Sequence, residues 1–259
     1  VYECLDIHRM MLGDRAPNRL MRALERRLLR RTDLVITSAP AFISEYFHAV
    51  QRHDGPIRLV ENKVLALDGP PAAPLRQRSP GQPWRIGWFG NLRCSRTLAM
   101  LSAIAERAPD IEVLIAGKAS PAELPDFDRA VAAKRGLRYV GPYTAADLPG
   151  LYGQVDFTWT VDFFEEGLNS RWLLPNRLYE GLAFGAVPIS MPEIEHARWL
   201  EGAGVGVTFG DLVTELPAFL ESLTEEAYAV LADRVAAIPR DRLFTDRAEC
   251  RDLVAEMAA

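Results

Sequence analysis

Short apolar runs alternate with helix-period patterns along almost the whole chain. The runs that read as strands lie at residues 2–5, 34–37, 57–60, 84–89, 112–116, 137–140, 157–160, 187–189 and 205–208. Helical spacing occupies 18–31, 95–107, 121–134, 145–153 and 175–184, and from Asp211 onward the chain reads as helical. Such β–α alternation predicts an α/β protein with parallel sheets and helices on both faces. Several strands, "VLIAG" among them, are apolar on both sides, as a covered parallel sheet requires.

One segment breaks the pattern. "DGPPAAPLRQRSPGQP", residues 68–83, is rich in proline and glycine and has no periodicity, so it reads as a linker between a short first block and a fuller α/β unit. No internal repeat or low-complexity tract accompanies it.

Composition narrows the class. With 49% hydrophobic and 25% charged residues the 259-residue chain is ordinary globular material, and a net charge of -5 gives no general attraction for nucleic acid. Cys4, Cys94 and Cys250 are far apart and form no CxxC pair, which points to a reduced, cytoplasmic setting. No apolar run approaches the roughly 20 residues that span a bilayer, and no signal peptide is visible. The chain opens directly in the strand-like "VYECLDI", so a missing N-terminal part is expected.

Local charge is more telling. Residues 15–31 hold seven arginines against one glutamate. On a helix, Leu20, Leu24 and Leu28 share one face while Arg19, Arg22, Arg26 and Arg30 follow another. Two readings stand: a solvated basic face on a helix packed against a sheet, or a surface for an anionic membrane or a phosphate-bearing acceptor. Just before it, "DIH" (Asp6–His8) follows the first strand, where open α/β sheets place ligand loops; His8 is a candidate base or sugar-hydroxyl contact.

Two strand-to-helix corners carry the candidate binding chemistry. In "WRIGWFGNLRCSRT", Gly90 closes the strand, 91–94 form the turn and Ser95 is the expected N-cap. A helix N-terminus beside Arg93 and Arg96 suits phosphate, because backbone amides and guanidinium both favour an anion. The second corner is "LLPNRLYEGLAFGAVPI". Pro175 belongs in a first helical turn, and the amides of Asn176 and Arg177 face outward. Glu180, one turn in, has the acceptor geometry for a ribose diol. The preceding loop, "DFFEEGLNSRWLL", is long enough to be functional, with Phe163, Phe164, Trp172 and Tyr143 as possible stacking residues. "DFD" at Asp126–Asp128 has the spacing of a metal site but no strand end beneath it. "GAGVGVTFG" lacks the strand-then-helix context of a dinucleotide loop.

The succession GWFGNLRCSRT, VLIAGKAS, LRYVGPYTAADLPGLYGQVDFTW, PNRLYEGLAFGAVPIS and EGAGVGVTFGD resembles the C-terminal domain of GT-B glycosyltransferases, nearest to the family 4-like retaining enzymes of polysaccharide and glycolipid synthesis. "RRTDLVITSAPAFISEYF" and "IRLVENKV" resemble the end of the family's N-terminal domain. The resemblance implies two Rossmann-like domains, the first incomplete: 1–66 as the end of the acceptor-side domain, 67–83 as linker, 84–241 as donor domain, and 242–259 as a helix returning to the first domain.

It also implies roles. Glu180 matches the family's ribose-binding glutamate, Asn176 and Arg177 the diphosphate loop, and Arg96 a phosphate-binding lysine with Arg93 nearby; Gly90, Asn91 and Pro175 complete the donor site. His8 lies near the family's catalytic histidine. Trp172 stands where a second glutamate is usual, and Asn91 where Arg is frequent. The implied reaction moves a sugar from a nucleotide-diphosphate donor to a glycan or lipid-linked acceptor, with retention, no metal and no cofactor, at the cytoplasmic face of a membrane or free of it. A non-catalytic GT-B binding module is the first alternative. A nucleotide-sugar epimerase is the second, with only Glu165 and Glu166 available as acid and base.

Overall fold

The computed structural model describes residues 1–71, 81–164 and 166–258, so 72–80 of the expected linker and Glu165 lie outside the described residues. The first sheet joins β1 (Tyr2–Cys4), β2 (Val35–Thr37) and β3 (Ile57–Leu59), parallel and in chain order. Helix α1 (Ala16–Leu29) connects β1 to β2, and a π-helical segment, Phe42–His48, connects β2 to β3. Val35, Phe42, Tyr46 and Phe47 are completely buried beneath it.

Helix α1 is turned opposite to the expectation from its leucines. Leu20, Leu24 and Leu28 are 70%, 51% and 58% exposed, and the inward stripe is Arg22, Glu25, Arg26 and Leu29. The cause is Glu25. Its buried carboxylate accepts from Tyr2 Oη at 2.8 Å and from Tyr46 and Gln51, so the helix presents that side to the sheet. Arg26 then donates to the carbonyls of Gln51 and Val50 at 3.0 and 2.7 Å, and Arg22 to that of Met11 at 3.0 Å. The basic face is therefore partly consumed by the fold.

After β4 (Val64–Leu65) comes the main sheet: β5 (Trp84–Leu92), β6 (Ile111–Ala119), β7 (Leu137–Tyr139), β8 (Phe157–Trp159), β9 (Val187–Ser190) and β10 (Val207–Thr208). All pairings are parallel and the order is β10-β9-β8-β5-β6-β7, the arrangement of a dinucleotide-binding fold. Helices α2 (Ser95–Arg107), α3 (Phe127–Ala132), α4 (Leu148–Tyr152), α5 (Asn176–Ala183) and α6 (Glu195–Ala203) cover it. Val113, Leu114, Ile115 and Ala116 of β6 are all at least 98% buried, the signature of a sheet covered on both faces.

Two expected boundaries shift. The helix expected at 121–134 begins only at Phe127, because Pro125 and a left-handed Asp126 (φ 58°) precede it, and Asp126 ion-pairs with Arg129 at 3.0 Å. Gly90 does not close its strand: β5 continues to Leu92, pairing Gly90 with Gly117 and Asn91 with Lys118. There the backbones touch, and a Cβ on Gly117 would stand 1.8 Å from the Gly90 carbonyl oxygen. Only glycine fits.

Helices α7 (Glu215–Ser222) and α8 (Glu225–Ala236) follow, then β11 (Phe244–Thr245) pairs in parallel with β4. The last helix, α9 (Arg247–Ala258), lies back toward the first sheet, with Lys63 Nζ 2.9 Å from Glu249 and Arg58 Nε 3.6 Å from Glu256. No helix among the described residues is long and apolar enough to cross a membrane.

Candidate functional site

A cleft of about 620 Å³ opens where the C-terminal ends of β1 and β2 face those of β5, β6 and β8. Strand order in the main sheet reverses between β5 and β8, so the cleft lies at the switch point, where such sheets bind ligands. Its walls are tied across the gap by side chains. Asn62 donates to the Leu174 carbonyl at 2.7 Å, Asn169 to the Ile7 carbonyl at 2.8 Å and to the Asp6 carboxylate, and Tyr179 Oη to Glu61 at 2.8 Å.

Helix α5 forms one wall. Pro175 is its N-cap rather than its first residue (φ -71°, ψ 149°), so Asn176 and Arg177 occupy the first two positions, whose amides have no intrahelical acceptor. The next amide, of Leu178, is satisfied by the Pro175 carbonyl at 2.9 Å. The Arg177 side chain is buried: Nη2 donates to the Val161 carbonyl at 3.1 Å and lies 3.4 Å from the Asp162 carboxylate. Charge and amides at this corner thus come from one rigid element. Glu180 lines the same wall half-buried, and Tyr152 Oη donates to its Oε2 at 3.0 Å. Burial pushes its carboxyl above the usual range, against the pull of the Tyr152 hydrogen bond and the Arg177 charge. Behind the corner His196 is fully buried, and desolvation together with Arg177 lowers it to about 3, so it is neutral at ordinary pH.

Helix α2 forms the opposite corner. Its N-cap is Cys94, whose Sγ accepts from the Thr97 amide at 3.3 Å, and not Ser95, which is the first helical residue. Gly90, Asn91 and Arg93 line the cleft. The Arg93 guanidinium lies 4.3 Å from the Phe164 ring centre. Arg96 does not reach the cleft lining. It ion-pairs with Glu166 and stands 4.1 Å over the Phe163 ring. Phe163 and Phe164 therefore brace arginines instead of offering a stacking face, while Tyr143 does line the cleft.

From the first sheet, Asp6 reaches the cleft and His8 does not. His8 caps the 3-10 turn Arg9–Met11, its Nδ1 accepting from the Met10 amide at 3.2 Å, and borders a separate cavity of about 320 Å³. Sequence reasoning also passed over Lys118, at the C-terminal end of β6 and in the cleft lining. The switch-point rule applied to "VLIAGKAS" finds it, since a lysine one residue past the buried run sits at the strand's ligand-facing end. Trp172 borders a different cavity, and Glu166 is committed to Arg96.

No protein-family model matches the chain. Solved structures do. Anabaena HepE, crystallised with UDP and glucose, superposes with a TM-score of 0.70 at 15% identity over 99% of this chain and 70% of its own. The glycosyltransferase WaaG of lipopolysaccharide biosynthesis gives 0.56 at 11% identity, covering 90% of this chain and 68% of its own. These likenesses and the paired Rossmann-like sheets show that the chain has the GT-B fold. In sequence the chain is similar to the succinoglycan biosynthesis protein ExoL of Rhizobium meliloti (strain 1021), with 43% identity over 265 residues. The match takes in all of this chain and 66% of that protein, so the chain spans just under two thirds of its relative's length.

Proposed function

We propose that the chain is the donor-binding part of a glycosyltransferase that moves a sugar from a uridine-diphosphate donor to a glycan or lipid-linked acceptor in polysaccharide synthesis. One observation carries the reading: the switch-point cleft places a half-buried carboxylate, Glu180, one turn behind two free helix amides, at Asn176 and Arg177. Glu180 accepts from the ribose hydroxyls. The amides, with Arg93 and Lys118, take the diphosphate and stabilise the charge that builds on it as the glycosidic bond to the donor breaks. Asp6 faces them across the cleft, held by Asn169, in position to accept from a sugar hydroxyl.

The relative's role in succinoglycan biosynthesis and HepE's capture of UDP and glucose support this donor and pathway class. Retention of anomeric configuration, and chemistry without metal or cofactor, are part of the proposal through the family resemblance. So is a cytoplasmic place at or near the membrane surface.

A thermal-shift series with UDP, GDP, ADP and dTDP on the wild type and on Glu180→Ala tests it. A ligand at roughly 100 times its dissociation constant adds about 2.7 kcal/mol, several degrees for a chain of this size. A shift with UDP that disappears in the variant is expected. Equal silence toward all four nucleotides would sink the donor assignment.

A further inference from the structure

A second cavity, of about 570 Å³, lies beside the first. Arg22, Arg26, Arg52 and Arg171 line it together with Trp172, and Asp14 is the sole carboxylate in the lining. It shares two walls with the donor cleft. The β1–α1 loop contributes Asp6 to one and Met11 to the other, and the segment before α5 contributes Leu173 to one and Trp172 to the other.

Four guanidinium charges meet one carboxylate there, in a chain whose net charge is -5. Even that carboxylate is loosely engaged, with Asp14 3.7 Å from Arg22 and fully exposed. Arg22 and Arg26 are held in place by the backbone carbonyls of Met11, Val50 and Gln51, which fix the planar groups without cancelling their charge. Arg52 and Arg171 make no side-chain hydrogen bond or ion pair among the described residues. Gathering like charges this way costs stability unless an anion offsets them, and fixed guanidinium forks match the oxygens of phosphate. The volume falls in the range of small-molecule sites, well above what one phosphate fills. Trp172 adds a broad apolar face for the group that carries the phosphate.

We propose that this cavity binds a phosphate or diphosphate group carried by the acceptor, so that the acceptor reaches the donor cleft across the wall the two cavities share. The word acceptor rests on the glycosyltransferase reading; the phosphate site does not.

The test is calorimetric titration of the full 259-residue chain with inorganic pyrophosphate, in saturating UDP so that the donor cleft is filled. Pyrophosphate is expected to bind, and Arg52→Gln/Arg171→Gln is expected to weaken it at least tenfold while leaving the UDP affinity unchanged. Both residues are exposed at the surface, so the variant keeps the fold. Absence of binding, or equal affinity in the double variant, overturns the proposal. If UDP fails to bind yet pyrophosphate binding remains sensitive to the two arginines, the donor reading falls and this site stands. Sedimentation with phosphatidylglycerol vesicles separates the source. Vesicle binding lost in the double variant assigns a lipid headgroup, and indifference to vesicles alongside pyrophosphate binding assigns a substrate phosphate.

Discussion

The mouths of α5 and α2 face each other across the switch point, and they are built differently. At α5 the arginine is buried, tied to Asp162 and the Val161 carbonyl, with a half-buried glutamate one turn on. At α2 the arginines lie over aromatic rings of the 162–166 loop, and the outer one, half-exposed, pairs with the exposed Glu166. The first corner is set by the core and the second by surface contacts that an incoming anion can replace. In the proposed reading, recognition falls to the core-set corner and adjustment to the other.

Breaking the rigid corner gives the largest effect. Arg177→Ala removes a buried guanidinium and leaves the partly buried Asp162 with only the Phe164 amide donating to it, and removal of one member of a buried pair costs about 3–5 kcal/mol. Urea denaturation is expected to show a loss of this size, and a loss below about 1 kcal/mol would place the pair among surface contacts.

Next comes Glu180→Gln, which separates binding from stability. Two charge-assisted hydrogen bonds weakened to neutral ones reduce UDP affinity roughly 10- to 100-fold. Stability moves the other way. Because the folded carboxyl is raised, the native chain holds its proton longer than the unfolded one, so wild-type stability falls as pH rises from the ordinary carboxylate range through the raised value. The glutamine variant lacks that fall, and thermal melts from pH 4 to 8 are expected to show it gaining on the wild type. A parallel pair of curves would mean that Glu180 is solvated in the free protein.

The smallest effect belongs to the outer arginine. Arg96→Ala removes an exposed ion pair and the contact of a half-exposed guanidinium with the Phe163 ring, each worth about 1 kcal/mol. The melting temperature should move by no more than a few degrees, with UDP affinity reduced less than in Arg93→Ala. A larger loss of affinity for Arg96→Ala would show that the loop swings away on binding and hands that residue to the diphosphate.

The centre of the main sheet was legible because β5 and β6 are nine residues each and largely apolar on both sides; Trp84, Ile86, Trp88 and Phe89 announce β5 without help. Strands β4 and β11, two residues each, carry no periodic signal and exist only because they meet each other. The inversion of α1 was hidden for a related reason. Its leucines satisfy the helical pattern, but the facing direction is decided by Tyr2, Tyr46 and Gln51, which lie 23, 21 and 26 residues from Glu25. In the site, Glu180 and the α5 mouth could be read from local spacing. Asp6 and His8 could not be told apart, since residues two apart in an irregular segment point where the turn sends them, and His8 is spent on capping that turn.

The β4–β11 pair also changes what the linker means. The chain passes between its two sheets twice, outward after Ala66 and back near Phe244, and the crossings are clasped by hydrogen bonds from the Val64 amide to the Leu243 carbonyl and from the Ala66 amide to the Thr245 carbonyl, both 2.9 Å. The halves are therefore joined by two paired crossings instead of one. A protease cut between Pro71 and Gly81 would leave the return crossing covalent and the clasp in place, so the nicked protein should keep both walls of its cleft in register.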